Sequence, residues 1–384
     1  MRAFLVGGVL TKVDEHWDKT LSNLMAEAGV NAVESAGLSA VDAVYVANVY
    51  GELLHEQANL GSLIAEELGL KGVAVSRVEA GGVSGLSALM SAVAAVNAGL
   101  ARAALVVGAE KLSDVTAEEM TSLATMEERA EYVGMLGVSQ LAEAALLYKE
   151  YLKRYRVSQE EIAYFTVLAH EHASTAPHAQ YPFKLSLDTV LKSPYVAEPL
   201  HRLETTAPAD GAAALVVASE ELARKLDAPK CLLTGLGFAN DLTTPFDRED
   251  PLEMRSITYA SLRALEMAGR KRTDIDFAEL HDAYSIMAPL SIEALGLAER
   301  GTGPNLARKG YFGLSGGLPV NTFGGLKGRG NPVGASGIYA VVESMFQLTD
   351  RAGKNQADRA EVGLVQSVAG LGAYAGVAVL EAVR

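Results

Sequence analysis

The chain has 384 residues, with 47 acidic and 33 basic side chains, a formal net charge of −14 and 49% hydrophobic residues. This apolar content is enough to fill a large core and excludes a mainly disordered chain. The negative charge, with no dense basic run, argues against nucleic acid or an anionic membrane as partner, and the single cysteine, Cys231, excludes an internal disulfide framework and any cysteine-based zinc or iron–sulfur centre.

In chain order, residues 1–10 are apolar after Arg2 and are followed by Thr11, Lys12, Asp14, Glu15 and His16. No small-residue cleavage pattern follows, so this segment reads as a buried first strand over 3–9, not as a signal peptide. Further short apolar runs predict strands at 43–49, 73–78, 103–107, 213–218, 231–236, 277–280, 362–365 and 376–380. Apolar residues three and four apart predict helices between them, as at 21–36 and 60–68. The apolar stretch 81–108 is broken by Ser84, Ser87, Ser91, Asn97 and Arg102, so it predicts a buried helix followed by a strand, with no membrane span. The alternation implies an α/β fold with sheets buried on both faces, and a cytoplasmic protein is expected.

Features recur in the same order along the chain. Asp42-Ala-Val-Tyr-Val-Ala-Asn-Val-Tyr50 and Asp276-Phe-Ala-Glu-Leu-His-Asp-Ala-Tyr284 each follow a helix. Gly82-Val-Ser-Gly85 and Gly334-Ala-Ser-Gly337 each open an apolar helix that leads to a strand. Two related halves are expected, 1–225 and 226–384, with residues 113–203 as a mostly helical insertion in the first. That insertion carries His170, His172, His178 and His201 and an acidic run around Glu127 that reads as a solvated face. His170 and His172 are two apart and do not share a helix face, so no metal site is expected.

Residues 315–337 are rich in glycine and lead into a helix near Val333. Such a loop lets backbone approach a ligand, which nominates Gly324, Gly325 and Gly330 as cofactor-binding positions. Its spacing matches neither a Walker A nor a dinucleotide motif.

Four motifs, in order, resemble those of the thiolase superfamily, in its archaeal and sterol-carrier-protein form. Arg77-Val-Glu-Ala-Gly-Gly-Val-Ser-Gly85 is similar to the nucleophile segment Val-Glu-Ala-Ala-Cys-Ala-Ser-Gly. His281-Asp-Ala-Tyr-Ser285 is similar to the His-Asp-Cys-Phe box. Gly330-Asn-Pro-Val-Gly-Ala-Ser-Gly337 is similar to the Gly-His-Pro loop, and Leu364-Val-Gln-Ser-Val-Ala-Gly370 to the last catalytic loop. Asp210-Gly-Ala-Ala-Ala214 fits the strand closing the first half. The resemblance covers essentially the whole chain. It implies a duplicated α-β-α-β-α layered fold, a homodimer and an acyl-CoA ligand. It further implies a small zinc-ribbon/OB-fold partner that holds CoA, and no permanently bound cofactor.

The same resemblance assigns the nucleophile position to Gly82, the second-cysteine position to Ala283, the loop histidine to Asn331 and a further cysteine position to Ser367. Of the family's catalytic side chains only His281 stands in place. Glycine has no nucleophile, and asparagine can donate a hydrogen bond but cannot exchange protons near neutral pH. His281, the Asn331 amide and backbone N–H groups near Gly82 and Ala369 can still polarise a thioester carbonyl, with Tyr284 a candidate acid or base. Ser84 reads as a helix cap or a packing residue, Glu79 as either a satisfied buried carboxylate or a base beside the site, and Cys231 as a small buried hydrophobe in a strand. The expectation is non-covalent carbon–carbon cleavage of a CoA thioester, of retro-aldol type. In lacking the nucleophile the chain resembles thiolase-like aldolases of steroid side chains, although those use tyrosines near the positions of His281 and Asn331. The alternatives are a non-catalytic acyl-CoA-binding or structural subunit and, against the residues, a true acetyl-CoA C-acetyltransferase.

Overall fold

The computed structural model describes residues 3–129 and 131–383. The nine expected strands are all present: β1 (Ala3–Leu10), β2 (Ala43–Ala47), β3 (Ala74–Val78), β4 (Ala103–Glu110), β5 (Gly211–Ala218), β6 (Lys230–Asn240), β7 (Phe277–Glu279), β8 (Val362–Ala369) and β9 (Tyr374–Ala382). They are short, rich in Ala, Val and Leu, and buried along both faces where they lie centrally, as a sheet covered by helices on each side requires.

The strands form one sheet in the order β3-β2-β4-β5-β1-β6-β9-β8-β7. In the first half β2 runs parallel to β3 and β4, and β5 lies antiparallel to β4 and β1. The second half repeats this: β7 is parallel to β8, and β9 is antiparallel to β8 and β6. Val320 bridges to Ala278 in parallel, at the place β3 holds in the first half. The halves are continuous, because β1 pairs with β6.

The helices that matter for the site are α1 (Leu21–Ser35), α2 (Leu60–Glu67), α3 (Ser84–Asn97), α4 (Ala117–Ala124), α5 (Gln140–Tyr155), α6 (Gln159–Ala173), α7 (Arg255–Ala268) and α8 (Val333–Leu348). α1 packs outside the first half, on β1, β4 and β5, and α7 outside the second, on β6 and β9. Between the halves lie α3 and α8, in contact with each other and with strands of both. They approach closely because small residues meet: a Cβ on Gly85 would stand 2.9 Å from the Ile338 amide nitrogen. This gives the expected α-β-α-β-α layering.

A helix in the middle layer has no solvent face, and α8 is buried along almost its whole length, Glu343 included. That buried charge is compensated. Arg329 Nη1 donates to Glu343 Oε2 at 2.7 Å, and His178 Nε2 lies 2.8 Å from Glu343 Oε1.

Residues 113–203 are mainly helical. Capping boxes at Thr116–Glu119 and Ser158–Glu161 start α4 and α6. A two-stranded ribbon, Tyr195–Ala197 with Leu200–His201, interrupts the helices. Among the described residues no helix is long and apolar enough to cross a membrane.

Candidate functional site

A cavity of about 940 Å³ opens between the insertion and the loops at the sheet's edge. Gly82, His281, Tyr284 and Asn331 all line it, so residues up to 249 positions apart in sequence meet there.

Gly82 lies in the 3₁₀ turn Gly81–Val83 that opens α3. The turn is pinned by Ser84, whose Oγ donates to the Gly81 carbonyl (2.7 Å) and accepts from the Ala80 N–H (2.8 Å). Both sides of that hydroxyl are engaged with the turn before the helix, so Ser84 does not cap α3, whose N-cap is Val83 without a side-chain bond. A Cβ built on Gly82 would lie 2.2 Å from the Val368 carbonyl oxygen and 2.9 Å from His281 Cε1. The position therefore lacks a side chain and also lacks room for one. Glu79, the neighbouring carboxylate, is exposed and accepts the Gly81 N–H at 2.7 Å.

His281 follows β7. Its main-chain N–H donates to Gln366 Oε1 at 2.9 Å, a side chain of the buried strand β8. Burial pushes its pKa down to about 4. The cations Arg329 and Lys327 add to this, and Asp282 only partly opposes them. The ring is thus neutral near pH 7 and can act as an N–H donor. Asn331 Oδ1 accepts from Ser336 Oγ at 2.8 Å, which leaves the Asn331 N–H bonds for the cavity. The Tyr284 hydroxyl is 3.4 Å from Gln140 Oε1, and burial together with Glu127, Glu128 and Glu143 pushes its pKa well up. Tyr284 therefore stays protonated and is a donor, not a base.

The glycine-rich loop does not meet the cavity as the sequence suggests. Gly324 packs on α6, where a Cβ would stand 2.6 Å from Ala173 Cβ, and Gly325 abuts Asn321 and Asp282. Gly330 abuts Val13 and Gln180. None of the three lines the cavity; their lack of a side chain lets the loop press against its own scaffold. What the loop presents is Asn331 and Lys327, and the Lys327 ammonium is tied to Asp282 Oδ2 (2.7 Å) and the Asp282 carbonyl (2.9 Å), fully buried.

Ala369 does not line the cavity either; its neighbours Gly370 and Leu371 do. The Gly370 N–H points to Glu127 Oε2 at 2.7 Å. Glu127 is a cavity-lining residue, so the acidic run around it is not simply a solvated face. Adjacent Glu128 is buried as well, with a pKa pushed up to about 9 by burial and by Glu143. Sequence reading also missed Tyr50, Gln140 and Arg202 at the cavity wall.

The histidines of the insertion are dispersed. His170 lines the cavity and is held neutral by burial, with a pKa of about 4, while its Nδ1 lies 3.2 Å from the Phe183 carbonyl oxygen. His172 is buried against the Asn321 carbonyl, and among the described residues no cluster of metal-ligating side chains forms. Cys231 is fully buried in β6 opposite Leu5, its thiol pKa pushed up by burial. It takes no part in the site.

Comparison with known proteins places the fold. Residues 3–221 match the thiolase N-terminal domain and residues 237–382 the thiolase C-terminal domain-like family. The chain is 34% identical to the acetyl-CoA acetyltransferase of Methanothermobacter thermautotrophicus over 97% of both chains. It is 31% identical to sterol carrier protein 2 of Rattus norvegicus, over 97% of this chain and 71% of that protein. Among solved structures, the Ltp2-ChsH2(DUF35) aldolase superposes with a TM-score of 0.87 at 24% identity, covering 100% of this chain and 98% of that one.

Proposed function

The chain belongs to the thiolase family, and on that premise we propose that it cleaves a β-hydroxyacyl-CoA by a retro-aldol reaction without an acyl-enzyme. The observation that carries this reading is the space at Gly82. Among the described residues the cavity lining holds neither Cys nor Ser, its threonines (Thr121, Thr205, Thr206) do not stand at the family's nucleophile position, and the Val368 carbonyl closes the place where a Cβ on Gly82 would stand. Covalent acyl transfer, the route an acetyl-CoA C-acetyltransferase would take, has no atom to run through there.

The remaining groups suit enolate chemistry. Neutral His281 and the Asn331 amide donate to the thioester oxygen as charge develops on it, and they are held in place before reaction by Gln366 and Ser336. Tyr284, partly buried, can turn its hydroxyl from the long bond to Gln140 toward the substrate.

A partner protein is part of the proposal. CoA carries several phosphate charges, yet Lys327 is internally paired, and Arg202 is the lining Lys or Arg without an ion pair among the described residues. The solved aldolase neighbour pairs Ltp2 with ChsH2(DUF35). A zinc-ribbon/OB-fold subunit that holds the CoA phosphates, on a homodimer of this chain, accounts for the sparse cations. The same sparseness favours the structural form of the second reading, in which the chain is a non-catalytic acyl-CoA-binding or structural subunit.

The test is incubation with a panel of β-hydroxyacyl- and β-ketoacyl-CoAs, with products identified by mass spectrometry. Cleavage of a β-hydroxy substrate to a carbonyl compound and a shorter acyl-CoA is the expected result, with β-keto substrates unchanged in the presence of free CoA. Thiolysis of a β-keto substrate would overturn the reading. Binding of acyl-CoA with no turnover, alone or with the partner, would establish the second.

A further inference from the structure

Glu127 ends the 3₁₀ turn Thr125–Glu127 that continues α4. Its carboxylate reaches across the cavity floor to the last loop of the second half, where Oε2 accepts the Gly370 N–H at 2.7 Å. The same oxygen stands 2.8 Å from where a Cβ on Gly81 would be, so glycine at that position is what admits the carboxylate. The Gly82 N–H and the Tyr50 hydroxyl also face it and favour its charged form.

Gly82 is thus flanked on two sides by groups of opposite chemistry. On one side are His281 and Asn331, each with an N–H to donate at neutral pH and each a poor proton acceptor. On the other is Glu127, which can accept a proton. The other titratable groups of the lining are poorer bases: Tyr284 stays protonated, and burial holds His281 and His170 at pKa values of about 4, so each accepts a proton only weakly.

We propose that Glu127 is the catalytic general base, taking the proton of the substrate's β-hydroxyl. This rests on the retro-aldol reading and names the group that reading lacks. In the step, the β-oxygen gives its proton to Glu127 Oε2 and becomes the carbonyl of the released aldehyde or ketone. The Cα–Cβ bond breaks, and its electron pair passes through Cα to the thioester oxygen, held as an enolate by His281 and Asn331. The proton on Glu127 then returns to Cα, giving the shorter acyl-CoA, so atoms and charge balance with no further reactant. Burial, reinforced by Glu79, holds the carboxyl above the ordinary carboxylate range, and the Gly370 and Gly82 N–H groups limit the rise. A carboxylate so placed is a stronger base than a solvated one.

The experiment uses the full chain, with its partner where turnover needs one, and a β-hydroxyacyl-CoA that the wild type cleaves. Glu127→Gln is expected to lower kcat at least about 100-fold while KM stays within about threefold. Glu127→Ala is expected to regain rate saturably on addition of formate, a carboxylate small enough to enter the vacated space, and a misfolded variant could not regain it. Wild-type kcat in Glu127→Gln, or no response of Glu127→Ala to formate, overturns the role of Glu127 and leaves the retro-aldol reading standing. A wild type that cleaves no β-hydroxyacyl-CoA overturns both.

Discussion

His281→Ala is expected to lower kcat/KM for a cleavable β-hydroxyacyl-CoA by about 10²–10³-fold, the usual loss when one pre-positioned oxyanion donor is removed. Most of the loss falls on kcat, because the interaction strengthens only as charge develops. The pH profile separates this role from proton transfer. With a pKa near 4, His281 keeps one protonation state from about pH 5.5 upward, so the wild-type rate shows no imidazole limb between pH 5.5 and 8. A limb in that range that vanishes in His281→Ala would mean the ring exchanges protons. Stability supplies the companion measurement. The ring's folded pKa lies below its usual 6.5, so the unfolded chain takes up the proton first. Stability is therefore unaffected above about pH 6.5 and falls as pH drops from there toward 4. His281→Ala removes that share of the acid sensitivity, and its denaturation midpoint should fall less between pH 7 and 4.5 than the wild type's. His170, depressed to the same degree, keeps its own share.

Gly82→Cys is expected not to create a thiolase. The new Cβ would meet the Val368 carbonyl at 2.2 Å and His281 Cε1 at 2.9 Å. Val368 belongs to the buried strand β8 and is paired there with Ala375 of β9, so its backbone cannot yield cheaply. Overpacking of this kind costs about 1–3 kcal/mol, and more where backbone must move. A lower denaturation midpoint, together with no thiolysis of acetoacetyl-CoA, is the expected pair of results. A variant as stable as the wild type that thiolyses acetoacetyl-CoA would show that the pocket merely awaits its cysteine. It would also undercut the argument that this site is built for different chemistry. Gly82→Ala, which adds the Cβ alone, should lose nearly as much stability as Gly82→Cys, because the clash lies at the first carbon.

The layered fold was legible because its core strands are short apolar runs and its two halves repeat the same order of motifs. The end of β8 was not. A strand reading stops at Val365 because Gln366 and Ser367 are polar, yet β8 runs on to Ala369 with both buried. Gln366 is polar because the strand carries the site: its side chain holds the His281 backbone. His281 and Asn331 were found from motifs alone, and the structure brings them to one cavity. Glu127 could not be found that way. Its partner Gly370 lies 243 residues further along, and an acidic run after a short amphipathic helix carries no local sign of which carboxylate turns inward. The glycines at 324, 325 and 330 stand outside the main cavity, and close packing on α6 and neighbouring loops is by itself enough to require them.

The central claim is carbon–carbon cleavage without a covalent acyl-enzyme. Intact-protein mass spectrometry during steady-state turnover of a β-hydroxyacyl-CoA, with rapid acid quench, tests it most directly. The account predicts a protein mass unchanged from the free chain while product accumulates. A population carrying the mass of the acyl group, on any residue and formed at the rate of turnover, would contradict it.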